Sequence, residues 1–382
     1  MKGGPQTWDE EEPVSVEKAC ISLDGTRIAA VFVDGTLCIY DTTTGEEILP
    51  PFKVDDEYPR PVVFSPNGKL VATGGRALRL WDVLTGEEVE SFDIHVYSLA
   101  FSPDGTCIAA GCDGRDDEDG SYNIRVVNLE LAKNPHPPHH FISSRGESIL
   151  LLKGEVWPSP FEGHEKQVIS LSYSADGKQI ASCSWGDRTI RVWDVLTGSK
   201  RTIRTNSIYN YSVAFSPDGT QIASNGILYN LTSDTRHTFG DSGRAHSFSA
   251  DGRFIASGFS GGVCQIWDAS TNETRQLVGH RGDVRSVAFF PDGKKMMSAS
   301  YGIIRLWDIE LLKEGGEMDG WKMDFDSTYG RFTVRSPEGE ILFCPEVPFR
   351  HPRNTLVIGE CPTIDFSNFV HGAEWVKCRE PL

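Results

Sequence analysis

The sequence predicts an all-β radial repeat, in which small antiparallel sheets, each unable to bury its own faces, stack on copies of themselves. Three observations lead there. An Asp-Gly turn or a close substitute recurs at Asp24, Asn67, Asp104, Asp176, Asp218, Asp251, Asp292 and Glu338, with spacings of 43, 37, 72, 42, 33, 41 and 46 residues. Each turn is followed by an aromatic residue or its substitute: Tyr40, Trp81, Val127, Trp193, Tyr229, Trp267, Trp307 and, unusually soon, Phe343. The clearest copy, Gln167 to Gly198, reads as three short strands, Val168 to Tyr173, Gln179 to Ser184 and Thr189 to Asp194, with Ser174-Ala175-Asp176-Gly177 between the first two. Asp-Gly between alternating apolar runs is a hairpin signal, because glycine accepts the positive φ that such a turn needs.

Taken in order, residues 1–13 form an N-terminal extension, whose Trp8-Asp9 lies too near the first strand to leave room for an outer strand. The repeats occupy residues 14–345. The long spacing of 72 residues holds an insertion at residues 131–154, where Pro135, Pro137 and Pro138 exclude a regular element at its start. It precedes an outer strand near Phe161, an edge position that tolerates the prolines before it. The acidic run Asp113 to Asp119 resembles half of a calcium loop, yet with Gly120 in the glycine position the first ligand would be Arg115. It reads as an acidic loop. His136, His139 and His140 share their spacing with no carboxylate or thiol, so the insertion reads as solvated and neither metal nor cofactor is expected. Gly320 to Pro345 holds one possible hairpin. It either supplies the last outer strand and closes seven sheets, which is favoured because seven full modules can be counted, or forms a reduced eighth. Residues 346–382 are a tail on or beside the ring.

Val213 to Gly219 (VAFSPDG), Gly163-His164, Gly279-His280 and the Trp-Asp pairs at Trp81, Trp193, Trp267 and Trp307 resemble the WD40 repeat family over roughly residues 14–345. The resemblance implies a β-propeller of four-stranded antiparallel blades, seven being favoured and eight the alternative. Each unit then gives three strands of a blade, and the following segment its outer strand. It also implies a structural hydrogen-bond tetrad in blade four, His164, Ser182, Asp187 and Trp193, which ties strands together and is not a nucleophile set. Repeat seven keeps His280, Ser298 and Trp307 but has no Asp in Tyr301-Gly302, and repeat six has Gly261 and Gly262 there. Independently of the name, the closing aromatics Tyr40, Trp81, Trp193, Tyr229, Trp267 and Trp307 suit the gaps between neighbouring sheets. More loosely, Gly339 to Phe343 and Phe366 to Trp375 look like the C-terminal signature of fungal WD-repeat arrays that often follow a NACHT nucleotidase module.

With 54 acidic against 37 basic residues the net charge is −17, which argues against general nucleic-acid binding. No apolar run approaches the roughly 18 residues of a membrane helix. The N-terminus lacks an apolar leader core, so a cytoplasmic, or otherwise intracellular and even nuclear, protein is expected. Nine scattered cysteines without a C-x-x-C pair suit buried thiols in a reducing compartment. The Gly-Lys pairs at Gly68, Gly177 and Gly293 lack the rest of a P-loop.

A non-enzymatic docking scaffold for proteins or peptides is therefore expected, with binding residues on the loop face where WD40 propellers usually hold partners: Trp185, Arg188, Phe259, Tyr301, Arg281 and Asp283. Trp185 leads, being a large apolar residue in a loop one residue longer than the repeat needs. A hydrolase or lyase on the axis would need convergent ionisable groups, whereas the first strands (VYSLAFS, VISLSYS, YSVAFS, VRSVAFF) carry mainly apolar and hydroxyl residues. A ubiquitin-ligase substrate receptor is the other alternative, but W-D-x-R is missing at all four Trp-Asp sites.

Overall fold

Each Ser-x-Asp-Gly turn reverses the chain between the innermost and second strands of a sheet. In the fourth, Ser174 Oγ donates to Asp176 Oδ1 at 2.7 Å and accepts from the Gln179 N–H at 2.9 Å, while Gly177 takes φ 70°. The same Ser-to-Asp bond forms at Ser22, Ser102, Ser216 and Ser249. A side chain that bonds both the turn's carboxylate and the backbone that follows the turn leaves the two strands a single register.

The computed structural model describes residues 15–54, 61–112, 122–129, 140–142, 148–150, 161–241, 243–280, 282–300, 303–309, 322–326, 331–335, 341–343 and 355–358. Seven four-stranded antiparallel sheets form the blades. Blade four comprises Val168–Tyr173, Gln179–Ser184, Thr189–Asp194 and Lys200–Arg204, from the axis outwards. Register is common to all seven: the second-strand residues Ile28, Val71, Ile108, Ile180, Ile222, Ile255 and Met296 face Tyr40, Trp81, Val127, Trp193, Tyr229, Trp267 and Trp307. Val127 thus occupies the aromatic's place in blade three. Apart from a 3-10 turn at Ser260–Gly262, the described elements are strands, and no described helix is long and apolar enough to cross a membrane.

The apolar core is divided among the gaps between blades. Cys107, Ile124 and Phe161 of blade three pack with Val168, Ile180 and Trp193 of blade four. Val16, Ile28 and Tyr40 of blade one pack with Met297, Ala299 and Ile304 of blade seven, which closes the ring. Each buried closing aromatic therefore serves the seam with the preceding blade. Toward the axis, the free edges of several innermost strands are met by serines of the preceding blade. The Val213 N–H donates to Ser170 Oγ at 3.1 Å, that of His246 to Ser212 Oγ at 3.1 Å, and that of Ala19 to Ser286 Oγ at 3.0 Å across the closure. These hydroxyls satisfy donors that a sheet edge would otherwise leave bare.

Two expectations change at the C-terminal side. The outer strand of blade seven is Thr355–Ile358, paired with Ile303–Asp308 through Ile304↔Ile358 to Trp307↔Thr355. It comes from the 346–382 segment read as a tail beside the ring, not from Gly320 to Pro345. That stretch instead contributes a separate three-stranded sheet, Lys322–Asp326, Arg331–Arg335 and Ile341–Phe343, so the turn at Glu338 marks no eighth blade. An outer strand needs only backbone pairing, and the four residues Thr-Leu-Val-Ile carry no motif that would announce it. In the insertion of blade three, His140–Ile142 and Ser148–Leu150 pair as a hairpin before the outer strand Phe161–His164. The remainder of the insertion, the acidic loop and the N-terminal extension lie outside the described residues.

The short spacing before blade six reflects a two-residue turn, Asn225-Gly226, with φ 51° and 70°. Two positive φ values in succession define the hairpin turn that best follows strand twist. A Cβ on Gly226 would lie 2.2 Å from the Gly240 carbonyl oxygen and 2.3 Å from that of Asp241. Both are backbone atoms and neither can swing aside. Gly226→Ala is expected to cost about 2 kcal/mol or more, combining steric displacement with left-handed strain of order 1 kcal/mol. A urea midpoint equal to that of the natural protein would contradict this packing.

Candidate protein-docking face

Two kinds of loop share the face opposite the Ser-x-Asp-Gly turns: those joining second to third strands, and those leading from one blade's outer strand to the next blade's innermost. In blade four the first kind is Trp185 to Arg188. Its inner half is tied down, because the Trp185 N–H donates to the Gln167 carbonyl at 3.0 Å and the Gly186 N–H to the Ile208 carbonyl at 2.9 Å. Asp187 turns inward. Its Oδ2 lies 2.6 Å from His164 Nδ1, His164 Nε2 lies 2.7 Å from Ser182 Oγ, and the Trp193 indole N–H donates to Ser182 Oγ at 2.8 Å.

Burial lowers the pKa of His164, and Asp187 pulls the other way. Burial would raise the Asp187 carboxyl, but the hydrogen bond and charge of His164 and the donors of Thr189 hold it down to about 2. With a neutral imidazole every proton has a place: indole to Ser182, Ser182 to Nε2, Nδ1–H to an ionised Asp187. This tetrad is sealed, since the side chains of His164 and Asp187 are 0% and 2% exposed and Ser182 is fully buried. A substrate cannot reach its hydroxyl. Blade seven repeats three members, His280 Nε2 to Ser298 Oγ at 2.6 Å and the Trp307 N–H to Ser298 at 2.7 Å. Blade six uses other partners. His246, from its innermost strand, meets Ser257 Oγ through Nδ1 at 2.8 Å, and the Trp267 N–H donates to Asn272 Oδ1 at 3.1 Å.

With Asp187 drawn in, Trp185 stays out, 44% exposed, beside Tyr209, 46% exposed. Their ring centroids are 5.8 Å apart, Tyr209 and Tyr211 follow at 6.0 Å, and the Arg244 guanidinium lies 5.2 Å over Tyr211. Arg244 in turn pairs with Asp283 at 3.1 Å and donates to Ser260 Oγ at 2.9 Å. A continuous run of side chains thus crosses from blade four to the start of blade seven. Of the residues picked from the sequence, Trp185 and Asp283 belong to it. Arg188 is exposed at φ 58° and Phe259 is half-buried, its N–H and carbonyl bonded to Val263 and Val284. Tyr301 and Arg281 lie outside the described residues. Tyr209, Tyr211 and Arg244 were missed; the available signal was Tyr209-Asn210-Tyr211, two aromatics of one parity in an inter-blade connection.

The family model described as WD domain, G-beta repeat matches residues 86–116, 158–194, 235–268 and 271–308. Each segment starts in or near one blade's outer strand; three run to the closing aromatic of the next blade, and the first stops after its second strand. The chain carries WD40 repeats. The four matched segments lie within the seven-bladed propeller. The chain is 28% identical over 257 residues to a guanine nucleotide-binding protein subunit beta of Nicotiana tabacum, covering 65% of this chain and 53% of that one. It is 26% identical over 174 residues to pre-mRNA-processing factor 19 homolog 2 of Arabidopsis thaliana, covering 41% and 32%. A third relative, apoptotic protease-activating factor 1 of Homo sapiens, is 26% identical over 345 residues, covering 77% of this chain and 26% of its own length. The chain thus spans between about a quarter and a half of these relatives.

Proposed function

We propose that this WD40 propeller is a docking scaffold or sensor module, without catalytic activity, which holds a protein or peptide on the loop face around Trp185 and Tyr209. The observation that carries the reading is a contrast of exposure. Among the described residues the one Asp–His–Ser set is sealed inside a blade, while the rings of Trp185 and Tyr209 stand nearly half exposed to solvent. Aromatic and Arg side chains dominate the energetics of protein interfaces. The axial serines are engaged with neighbouring backbone, which speaks against a hydrolase or lyase site built from them. A relative named as a subunit supports membership of an assembly. One in which the matched region is a quarter of the length supports attachment to further modules, the arrangement expected from the NACHT-linked resemblance.

We also propose a reducing intracellular compartment, a reading supported by the buried thiols of Cys38, Cys107, Cys112, Cys183 and Cys264. The test of the function is a tagged pull-down from native extract with the natural protein and a Trp185→Ala/Tyr209→Ala double variant. Loss of a stoichiometric partner in the variant is the expected result. Identical partners in both would put the interaction surface elsewhere and sink the assignment.

A further inference from the structure

The aromatic run leads inward to a charged mouth on the axis. There Arg285 pairs with Glu17 at 2.7 Å and Arg244 with Asp283 at 3.1 Å. Lys18, on the innermost strand of blade one, is the third cation. Its ammonium donates to the Arg285 carbonyl at 3.4 Å, and no described carboxylate lies within ion-pair distance. It is closely surrounded by protein, so burial lowers its pKa; Glu17 works against this, while the charges of Arg285 and Arg244 add to it. In a chain of net charge −17, the described residues of the mouth thus gather three cations, Arg244, Arg285 and Lys18, against two carboxylates, Glu17 and Asp283.

We propose that this mouth takes an extended acidic peptide, with one aspartate or glutamate of the partner against Lys18 and flanking proline or aromatic rings laid along Tyr211, Tyr209 and Trp185. The proposal rests on the docking reading above and names the guest. Its steps of 5.2, 6.0 and 5.8 Å from Arg244 to Trp185 suit about five residues of extended chain at roughly 3.3 Å each. Proline-rich segments enter aromatic-lined grooves with little entropy left to lose. A cationic guest fits poorly, because Arg244 already covers Tyr211 and Lys18 would repel it. A nucleic-acid strand would place phosphates beside Glu17 and Asp283 as well as beside the cations, within an acidic protein.

The test uses fluorescence anisotropy on the full chain with fluorescein-labelled acetyl-Pro-Pro-Pro-Tyr-Gly-Glu-Gly-amide, its Gln counterpart, both in reversed order, and an oligothymidylate of similar length. The better Glu peptide should bind about tenfold tighter than its Gln partner at low salt. The gap should shrink near 1 M salt, where the Debye length is about 3 Å. Lys18→Met should abolish the gap, Lys18→Arg should keep it, and Trp185→Ala/Tyr209→Ala should weaken both peptides alike; unchanged melting temperatures guard against misfolding. Equal affinity for Glu and Gln, a gap that survives Lys18→Met, no binding by any peptide, or tighter binding of oligothymidylate would each overturn the acidic guest. If the peptides fail to discriminate while the Trp185/Tyr209 variant still loses its partner in the pull-down, the docking face stands and only the guest is wrong. If that partner is retained, the docking reading itself has failed.

Discussion

Trp193→Ala is expected to destabilise the protein by about 3 to 5 kcal/mol, the usual cost of emptying a large aromatic site in a core, while Trp185→Ala should stay within about 0.5 kcal/mol, as an exposed substitution does. Trp193 is 1% exposed. It packs edge-on against Phe161 at 5.7 Å and faces Ile180 across the strands, so the void would open the seam between blades three and four. Its removal also withdraws the indole donor from Ser182, leaving a buried hydroxyl with one bond fewer. Urea midpoints for the two variants decide the matter. Equal losses would mean that the blade core and the docking face have been exchanged.

Acidification should have a comparable effect through two histidines that bind nothing from outside. Burial pushes His246 down to about 4, and burial with the Arg305 charge pushes His280 down to about 3. Each has one ring nitrogen on a serine, and the other, His246 Nε2 and His280 Nδ1, without a described partner, so a second proton finds no acceptor. In the unfolded chain both titrate near 6.5. Below that pH the unfolded state binds protons that the folded state refuses, so stability is complete above about 6.5 and falls as the pH drops towards the folded values. At pH 4.5 the loss amounts to about 2 to 3 kcal/mol for each histidine. Lowered His164 acts in the same direction. Asp187, held at about 2, adds its share only below about pH 4. Denaturation midpoints at pH 7.5, 6.0 and 4.5 should decline steadily, and His280→Gln should flatten part of the decline; a level profile would exclude neutral buried imidazoles.

The blades were legible because their marks are local. A turn that bonds its own backbone and an aromatic on the third strand lie within one short hairpin, so Asp24 to Tyr40 or Asp251 to Trp267 can be read without knowing the neighbours. What depends on neighbours was not legible. Thr355–Ile358 is defined by the strand it pairs with, and nothing in Thr-Leu-Val-Ile names Ile303–Asp308 as that partner. The axial serines were visible as hydroxyls, but their role as acceptors for the next blade exists only once blades are stacked. The docking candidates show the same division. Trp185 drew notice as a large residue in a long loop, whereas Tyr209, Tyr211 and Arg244 come from connections between blades and meet it only across seams. His246 replaces the histidine of the tetrad from a different strand, a substitution that motif spacing cannot register.

The closure between blades one and seven also orders events during synthesis. The Ala19 N–H finds Ser286 Oγ 267 residues later, and Trp307 must await Thr355 before its sheet is complete. At about 5 to 20 residues per second, the exposed flank of blade one waits for tens of seconds after it leaves the ribosome. Six blades can zip up from the N-terminal side meanwhile, each sealing its predecessor. Ile28, Ala30 and Tyr40 remain uncovered throughout, so a growing chain offers one sticky face to chaperones or to other nascent copies until its last blade arrives.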